Sequence, residues 1–545
     1  MTDFPVVSTS PSVTAHAAAE SLPPLGSALN VLLVWPRVPA SFWSFAGMMA
    51  MLPQASLHPP LGLITIAALC PPTWNCRLID RSFEALHDAD LRWADLVMVS
   101  GMRVQHEDMH ATLQRARALG KRTMVGGPYA SSQPEALLPL ADHVIVGEPD
   151  EVFGDIAADL ERGTARPLYV IEARPDVSHT PVPRFDLLRL DKYASMEVQF
   201  SRGCPFQCEF CDIITIYGRK PRTKSTAQML REFDTLYALG WRGRIFVVDD
   251  NFIGNHRKAL QLAEALATWQ QERQVPFTLS TEASMDLAQH PELIDAMVAA
   301  NFWSVFMGIE SPSREALSET KKFQNLRQDP LECVQCIQQR GLWVTAGFIV
   351  GFDADSEDIF ARQAAFIEQA AIPWAMTGFL VALPTTPLYD RMQREGRLLP
   401  EDRMQGQFKP PNFRTIIPLP DLLQGGKALL EQIYAPDAFY ERAFRSIEAW
   451  QASPQQQAPR QSPAYMLRVL ARSVLHQGLL SSYRRAYWQF FRRIFQHWRR
   501  QPQKRWLGLT VLLSGHHFIR YTQEVVAELT TELRTCAADE PVHAA

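Results

Sequence analysis

Cysteine is scarce in this chain: eight in 545 residues, at positions 70, 76, 204, 208, 211, 333, 336 and 536. So sparse and uneven a set excludes a secreted disulfide scaffold and points to a reducing, cytoplasmic setting. Neither sign of charge is in excess. The 54 basic and 58 acidic residues leave a net charge of −4, which excludes a globally basic nucleic-acid binder and confines any basic surface to a local patch. Long apolar runs are missing too. The longest candidate, "AIPWAMTGFLVALP", falls short of the ~18 residues that a membrane-spanning helix requires and reads as a buried strand. The opening stretch, "MTDFPVVSTSPSVTAHAAAESLPPLGSALN", has no basic start and no apolar core. It is not a signal peptide, and its Ser, Ala and Pro content predicts a disordered leader over 1–29.

What the chain does have is two successive alternations of short apolar runs with amphipathic segments. Over 30–165 the runs "NVLLVWP", "CRLIDRS", "ADLVMVSGM", "RTMVGGP" and "HVIVGE" read as five buried parallel strands, with helices over 59–69, 106–119 and 133–140 between them. The pattern predicts a doubly wound, Rossmann-like α/β domain whose ligand contacts lie at the strand carboxyl ends. Those ends are Ser100-Gly101-Met102, Gly126-Gly127-Pro128 and Gly147-Glu148. A dinucleotide is disfavoured, because no G-x-G-x-x-G follows "NVLLVWP". Residues 166–193 read as a proline-containing linker. Over 194–392 the runs "MEVQFS", "IFVVDDN", "FTLSTEA", "SVFMGIE", "WVTAGFIVGF" and "MTGFLVALP" predict a partial (β/α)6 barrel with its chemistry at the strand carboxyl ends. The rest, 393–545, reads as mostly helical.

The loop after the first barrel strand reads "CPFQCEFCDI" and places Cys204, Cys208 and Cys211 at C-x3-C-x2-C spacing. A structural zinc site would need a fourth protein ligand. Three soft thiolates also suit an iron–sulfur cluster with one iron left open. The competing "CVQC", Cys333 and Cys336, falls on one face of a predicted helix and reads as core packing. Cys70, Cys76 and Cys536 have no partner signal and read as structural.

On that loop, with Phe210 just before its third cysteine, the sequence resembles the radical S-adenosylmethionine (SAM) superfamily. The resemblance implies that Cys204, Cys208 and Cys211 hold three irons of a [4Fe–4S] cluster and that the open iron chelates SAM. An external electron donor of flavodoxin or ferredoxin type would then drive cleavage of SAM to a 5′-deoxyadenosyl radical. It further implies SAM contacts from Asp249, Asp250 and Asn251 after the second strand, from Glu282 after the third and from Glu310 after the fourth. The glycine-containing "GFIVGF" at 347–352 would flank adenine. The acids could instead cap the helices that follow them.

An α/β domain ahead of such a barrel is similar to the cobalamin-binding arrangement of the B12-dependent branch. The resemblance covers 30 to about 400, and the tail looks like the extra region of one subgroup. Cobalamin would then run past Ser100, Gly101, Gly126 and Gly127. The D-x-H-x-x-G loop that supplies a lower cobalt ligand is absent, since its place is taken by "PRVPASFWSFAG". His106 and His110, the nearest histidines, read as solvated or capping residues. The implied activity is cobalamin-dependent methylation of an unactivated carbon in an apolar substrate, lipid or tetrapyrrole-like. A cyclase or ring-rearranging enzyme remains the alternative within the branch, and a non-enzymatic cobalamin or redox sensor the alternative outside it. Tyr217, Trp303 and Trp374 are candidate substrate selectors.

The tail carries "SYRRAYWQFFRRIFQHWRR". At helical spacing Tyr487, Phe490, Phe491, Ile494, Phe495 and Trp498 form one stripe opposite Arg485, Gln489, Arg492, Arg493, Gln496, Arg499 and Arg500. Packing against the enzyme is the plainer expectation. Peripheral contact of 483–500 with the inner face of a membrane is the other, and nucleic acid is not expected, for want of a base-reading module.

Overall fold

The computed structural model describes residues 22–399 and 408–539, so most of the leader read over 1–29 lies outside the described residues. Two parallel sheets follow one another along the chain. The first contains β1 (Asn30–Trp35), β2 (Asn75–Asp80), β3 (Leu96–Ser100), β4 (Arg122–Gly126), β5 (His143–Val146) and β6 (Leu168–Val170), in the order β2-β1-β3-β4-β5-β6. Its central strands β1 and β3 are almost wholly apolar because helices cover both faces, whereas the outer β2 carries Asn75, Arg77 and Asp80. Leu32, Val34, Val97, Val99 and Val125 pack on one side, and Val31, Leu33, Leu96, Met98 and Met124 on the other. The sixth strand corrects the expected five. It forms within the stretch read as a linker, where Val144, Ile145 and Val146 pair with Leu168, Tyr169 and Val170. Residues just before β1 are also anchored: the Leu25 N–H donates to Leu160 O at 3.2 Å. Strand order reverses between β1 and β3, which opens a ligand crevice at their carboxyl ends.

The second sheet contains β7 (Ser195–Val198), β10 (Arg244–Val247), β11 (Thr278–Glu282), β12 (Phe302–Glu310), β13 (Trp343–Val350) and β14 (Ala375–Phe379). All are parallel, in the order β14-β13-β12-β11-β10-β7, and the two outer strands do not pair. This is the incomplete six-stranded barrel expected from the sequence. Between β7 and β10, β8 (Ser201–Arg202) and β9 (Arg222–Thr223) pair as a short antiparallel ribbon. The cysteine loop leaves from β8 and returns to β9.

The tail helices Leu419–Ile433, Pro436–Ala449, Arg484–His497 and Pro502–Asp539 share the core of the barrel rather than forming their own, and the helix Pro463–Ser473 lies beside the cavity described below. They also hold the loop after β1. Phe42 stacks on Tyr434 and on Phe518 at 5.4 and 5.6 Å between ring centroids, and His517 Nε2 contacts Phe42 O at 3.1 Å. In the helix Arg484–His497, Tyr487, Phe490 and Ile494 are buried, as is Trp498 just beyond it, whereas Phe495 is exposed. Among the described residues no helix is long and apolar enough to cross a membrane.

Candidate active site

The cysteine loop is shaped by backbone contacts. Gly203 takes φ = +91°, and a Cβ there would lie 2.8 Å from Gly218 O, so the turn into Cys204 demands glycine. Its N–H donates to Asp250 Oδ2 at 2.7 Å, and the Cys204 N–H donates to Gly218 O at 3.2 Å. Cys208 is buried, while Cys204 and Cys211 are partly open. The three thiols lie within one another's electrostatic reach, and burial pushes the Cys204 thiol up to about 11 and Cys211 higher still. Buried thiols of this kind ionise only beside strong positive charge. Lys322 supplies part of it, since Glu310 and Cys208 outweigh burial and keep its ammonium charged. The donor set, three thiols on one loop beside a buried cation, fits a cluster with three protein ligands.

The acids at the strand ends differ in what they hold. Asp249 Oδ1 accepts from the Phe200 N–H and Oδ2 from Ser201 Oγ, each at 2.7 Å. Burial nonetheless raises its carboxyl to about 7, and that of Asp250 to about 6. Asn251 Nδ2 donates to Ser284 Oγ at 2.9 Å and so ties the loop after β10 to the loop after β11. Glu310 is buried against Lys322 and takes a left-handed φ of +66°. Phe210 lies 5.9 Å from the Phe352 ring, and Lys322 Nζ lies 5.7 Å from its centroid. Of these barrel-strand acids, Glu282 is the one that lines open space. Its carbonyl accepts from the Phe252 N–H at 2.9 Å, but its carboxyl group has no hydrogen-bond partner among the described residues, and burial, then Asp250 and Asp249, push it up to about 8.

That open space is a cavity of about 1690 Å³ between the two sheets, larger than the pocket a drug-sized ligand fills. Its first wall contains Ser100, Gly101, Met102, Gly126, Gly127, Pro128, Gly147 and Glu148. Gly127 and Gly147 both have positive φ, and a Cβ on them would lie 2.4 Å from Ser100 Oγ and 2.3 Å from Ile171 O. These glycines let a large flat ligand approach the backbone, a cradle that fits cobalamin. His106 and His110 do not line the cavity; His110 Nε2 contacts Tyr129 OH at 3.1 Å.

From that wall the cavity runs into the barrel lumen. Alternate residues of the strands line it, among them Glu197, Phe246, Glu282, Phe306 and Thr345. The tail closes it with Tyr465, Met466, Val469, Trp506, Leu509 and Leu513. Of the three aromatic candidates, Tyr217 and Trp374 reach the cavity. Trp303 does not: it is buried between Trp450 and Trp506. Three polar lumen residues lie outside the sequence reading. His58 Nδ1 is 3.6 Å from Glu197 Oε1, and Arg244 reaches Thr510 Oγ1 at 3.5 Å. No local pattern marks them, because they come from different elements and meet only in the fold. Lys322 and the ribbon arginines Arg202 and Arg222 were missed for the same reason. Cys333 and Cys336 contact Gln328 and the Ala288 carbonyl as packing residues.

The comparisons with known proteins agree with this geometry. Family models match for a B12 binding domain over 51–157, the radical SAM superfamily over 198–366 and a domain of unknown function (DUF4070) over 386–531. An uncharacterised methyltransferase of Synechocystis sp. is 41% identical over 93% of this chain and 94% of its own length. The hopanoid C-2 methylase of Rhodopseudomonas palustris is 34% identical over 91% of this chain and 94% of its own. In fold, the cobalamin-dependent S-adenosylmethionine radical enzyme OxsB aligns with a TM-score of 0.58, covering 93% of this chain and 81% of that one at 14% identity.

Proposed function

The chain belongs to the cobalamin-dependent radical SAM methyltransferases, and from that membership we propose that it methylates an unactivated carbon of an apolar polycyclic lipid held in the barrel lumen. The carrying observation is the continuity of the cavity from the glycine cradle of the first domain, past Glu282, to a floor of Trp506, Leu509 and Leu513. An apolar ring system fits that lining, and the hopanoid methylase named above supports the choice.

When bound, the cluster and cobalamin supply the electron that cleaves SAM and the methyl group that is transferred. The protein's own residues do the positioning. Cys204, Cys208 and Cys211 hold the cluster, Lys322 offsets its negative charge, and Asp250 fixes the backbone at Gly203. The Glu282 side chain, with no hydrogen-bond partner among the described residues, is free to accept from the hydroxyls or ammonium of SAM. Ser100, Gly126, Gly127 and Gly147 give the corrin its route, and the closed floor keeps water from the reacting carbon. The electron comes from an external flavodoxin- or ferredoxin-type donor.

The substrate reaches the lumen from a membrane face. The helix Pro463–Ser473 turns Tyr465, Met466 and Val469 to the cavity, while Leu467 is 69% exposed. Leu479 and Leu480 continue the outward surface, 59% and 71% exposed. Residues 463–500 contain Arg468, Arg472, Arg484, Arg485, Arg492, Arg493, Arg499 and Arg500 but no Asp or Glu. Leucines ringed by arginines suit an anionic bilayer surface.

The test is anaerobic reconstitution with iron, sulfide, cobalamin and reductant, followed by mass spectrometry of a bacterial lipid extract. A lipid heavier by one CH2 is expected. SAM cleavage that yields a product of unchanged mass would replace this reading with the cyclase one. Flotation on anionic vesicles, weakened in Leu479→Ser/Leu480→Ser, tests the membrane route separately.

A further inference from the structure

His256, Asp286 and His290 converge beyond the carboxyl ends of β10 and β11, outside the lumen. His256 opens the helix His256–Glu272, Asp286 lies in the 3-10 turn Met285–Gln289, and His290 precedes the helix Pro291–Ala299. One donor atom from each lies within 4.8 Å of the other two. The two imidazole centroids are only 3.9 Å apart. His256 Nε2 is 3.3 Å from Asp286 Oδ2. The Asp286 side chain is buried, and its second oxygen, Oδ1, has no hydrogen-bond partner.

A His–Asp hydrogen bond accounts for two of these residues. It leaves unexplained both the second imidazole stacked on the first and the orphan carboxylate oxygen, whose burial opposes folding unless something satisfies it. A divalent cation accounts for all three. Two imidazoles and a carboxylate form a donor set that zinc accepts, with a fourth position left for water. No thiol belongs to the donor set to favour a softer ion. A second layer exists as well: His290 Nδ1 faces Glu292 Oε1 at 3.5 Å, the carboxylate–imidazole arrangement that orients a metal-binding histidine.

We propose that His256, Asp286 and His290 bind one zinc ion, which braces the loop after β10 to the loop after β11. The brace has a purpose in this fold. The two loops carry Asp250 and Asn251 on one side and Glu282 on the other, and the protein's direct link between them here includes Asn251 with Ser284. A metal a few residues further along each loop fixes their separation.

The experiment measures zinc by elemental mass spectrometry in the full-length holoenzyme, whose cysteines are already occupied by iron. A single equivalent is expected, with X-ray absorption showing nitrogen and oxygen neighbours at about 2.0–2.1 Å and no sulfur shell at about 2.3 Å. Asp286→Asn, which keeps the side-chain shape, is expected to abolish zinc retention. If that variant fails to fold, His290→Gln serves instead. Glu292→Ala is expected to weaken zinc binding about 10- to 100-fold. Zinc that is absent from the holoenzyme, persists in His290→Gln, or shows sulfur ligands overturns the proposal.

Discussion

Glu148, at the carboxyl end of β5, accepts from Arg202 Nη1 at 2.9 Å and from Arg222 Nη2 at 2.7 Å. The first domain is thereby fastened to the ribbon that carries the cysteine loop, and Arg202 stands two residues before Cys204. All three side chains are largely buried, so removing the shared carboxylate strands two guanidiniums. Arg202 retains Asp150 at 2.8 Å, but Arg222 retains only backbone carbonyls. Glu148→Ala is expected to cost about 3 kcal/mol and to lower the iron retained after reconstitution. Thermal melts and iron assays check this; an unchanged iron content would mean that the loop holds its shape without the first domain.

One lumen acid, Glu197, opposes folding increasingly as pH rises. Burial, then Glu282, raise Glu197 to about 8, and burial likewise lowers His58 to about 4. Between those values the two contacting side chains are both neutral. An unfolded chain has its glutamates near the ordinary 4.3, so above that pH it has released protons that the folded state still holds. The Glu197 contribution therefore turns against folding as pH rises from about 4 to about 8 and is constant above. Glu197→Gln removes it. The variant should match the parent near pH 4 and exceed it by about 5 kcal/mol at pH 8 and above, as read from denaturant melts across that range.

The lumen can be narrowed from behind. A Cβ on Gly347 would meet Phe306 Cζ at 2.9 Å, and Phe306 lines the cavity. Gly347→Val must push that ring inward or strain β13, at a cost of about 1–3 kcal/mol. Lipid methylation is expected to fall at least tenfold. Comparing the loss of SAM cleavage without lipid and with it separates a blocked lumen from a damaged SAM site.

Much of this arrangement was legible in the sequence, for physical reasons. Parallel strands buried on both faces are uninterrupted apolar runs, so β1, β3, β4 and the barrel strands stand out. The three cysteines are close in sequence, and the glycines at the first-domain strand ends mark where the backbone must stay open. The rest depends on distance along the chain. β6 is three residues beside prolines and pairs only because β5 offers an edge. Trp303, a candidate substrate selector by sequence, sits at the amino end of β12, where the tail covers it. The tail helix packs against the enzyme through Tyr487, Phe490 and Ile494, while Phe495 remains 41% exposed. The loop after β1 lacks a histidine of its own, but His517, 470 residues beyond Gly47, supports it through Gly47 and Phe42. No local periodicity encodes such a contact.

Gly308 offers the sharpest test of how the cluster's neighbour Lys322 is held. The register of β12 on β13 shifts between Gly308 and Glu310, and the left-handed Glu310 folds its carboxylate back over the glycine. A Cβ at Gly308 would lie 2.3 Å from Glu310 Oε1 and 2.8 Å from Lys322 Nζ. Gly308→Ala should therefore break the buried ion pair while leaving every charge in place. Breaking such a pair costs about 3–5 kcal/mol. Lys322→Met breaks the same pair from the other side, so the double variant should be less destabilised than the two single losses added together. Melts of the three proteins measure that difference. Strict additivity would mean that Gly308 is required for strand packing and not for seating Lys322 beside the cysteines.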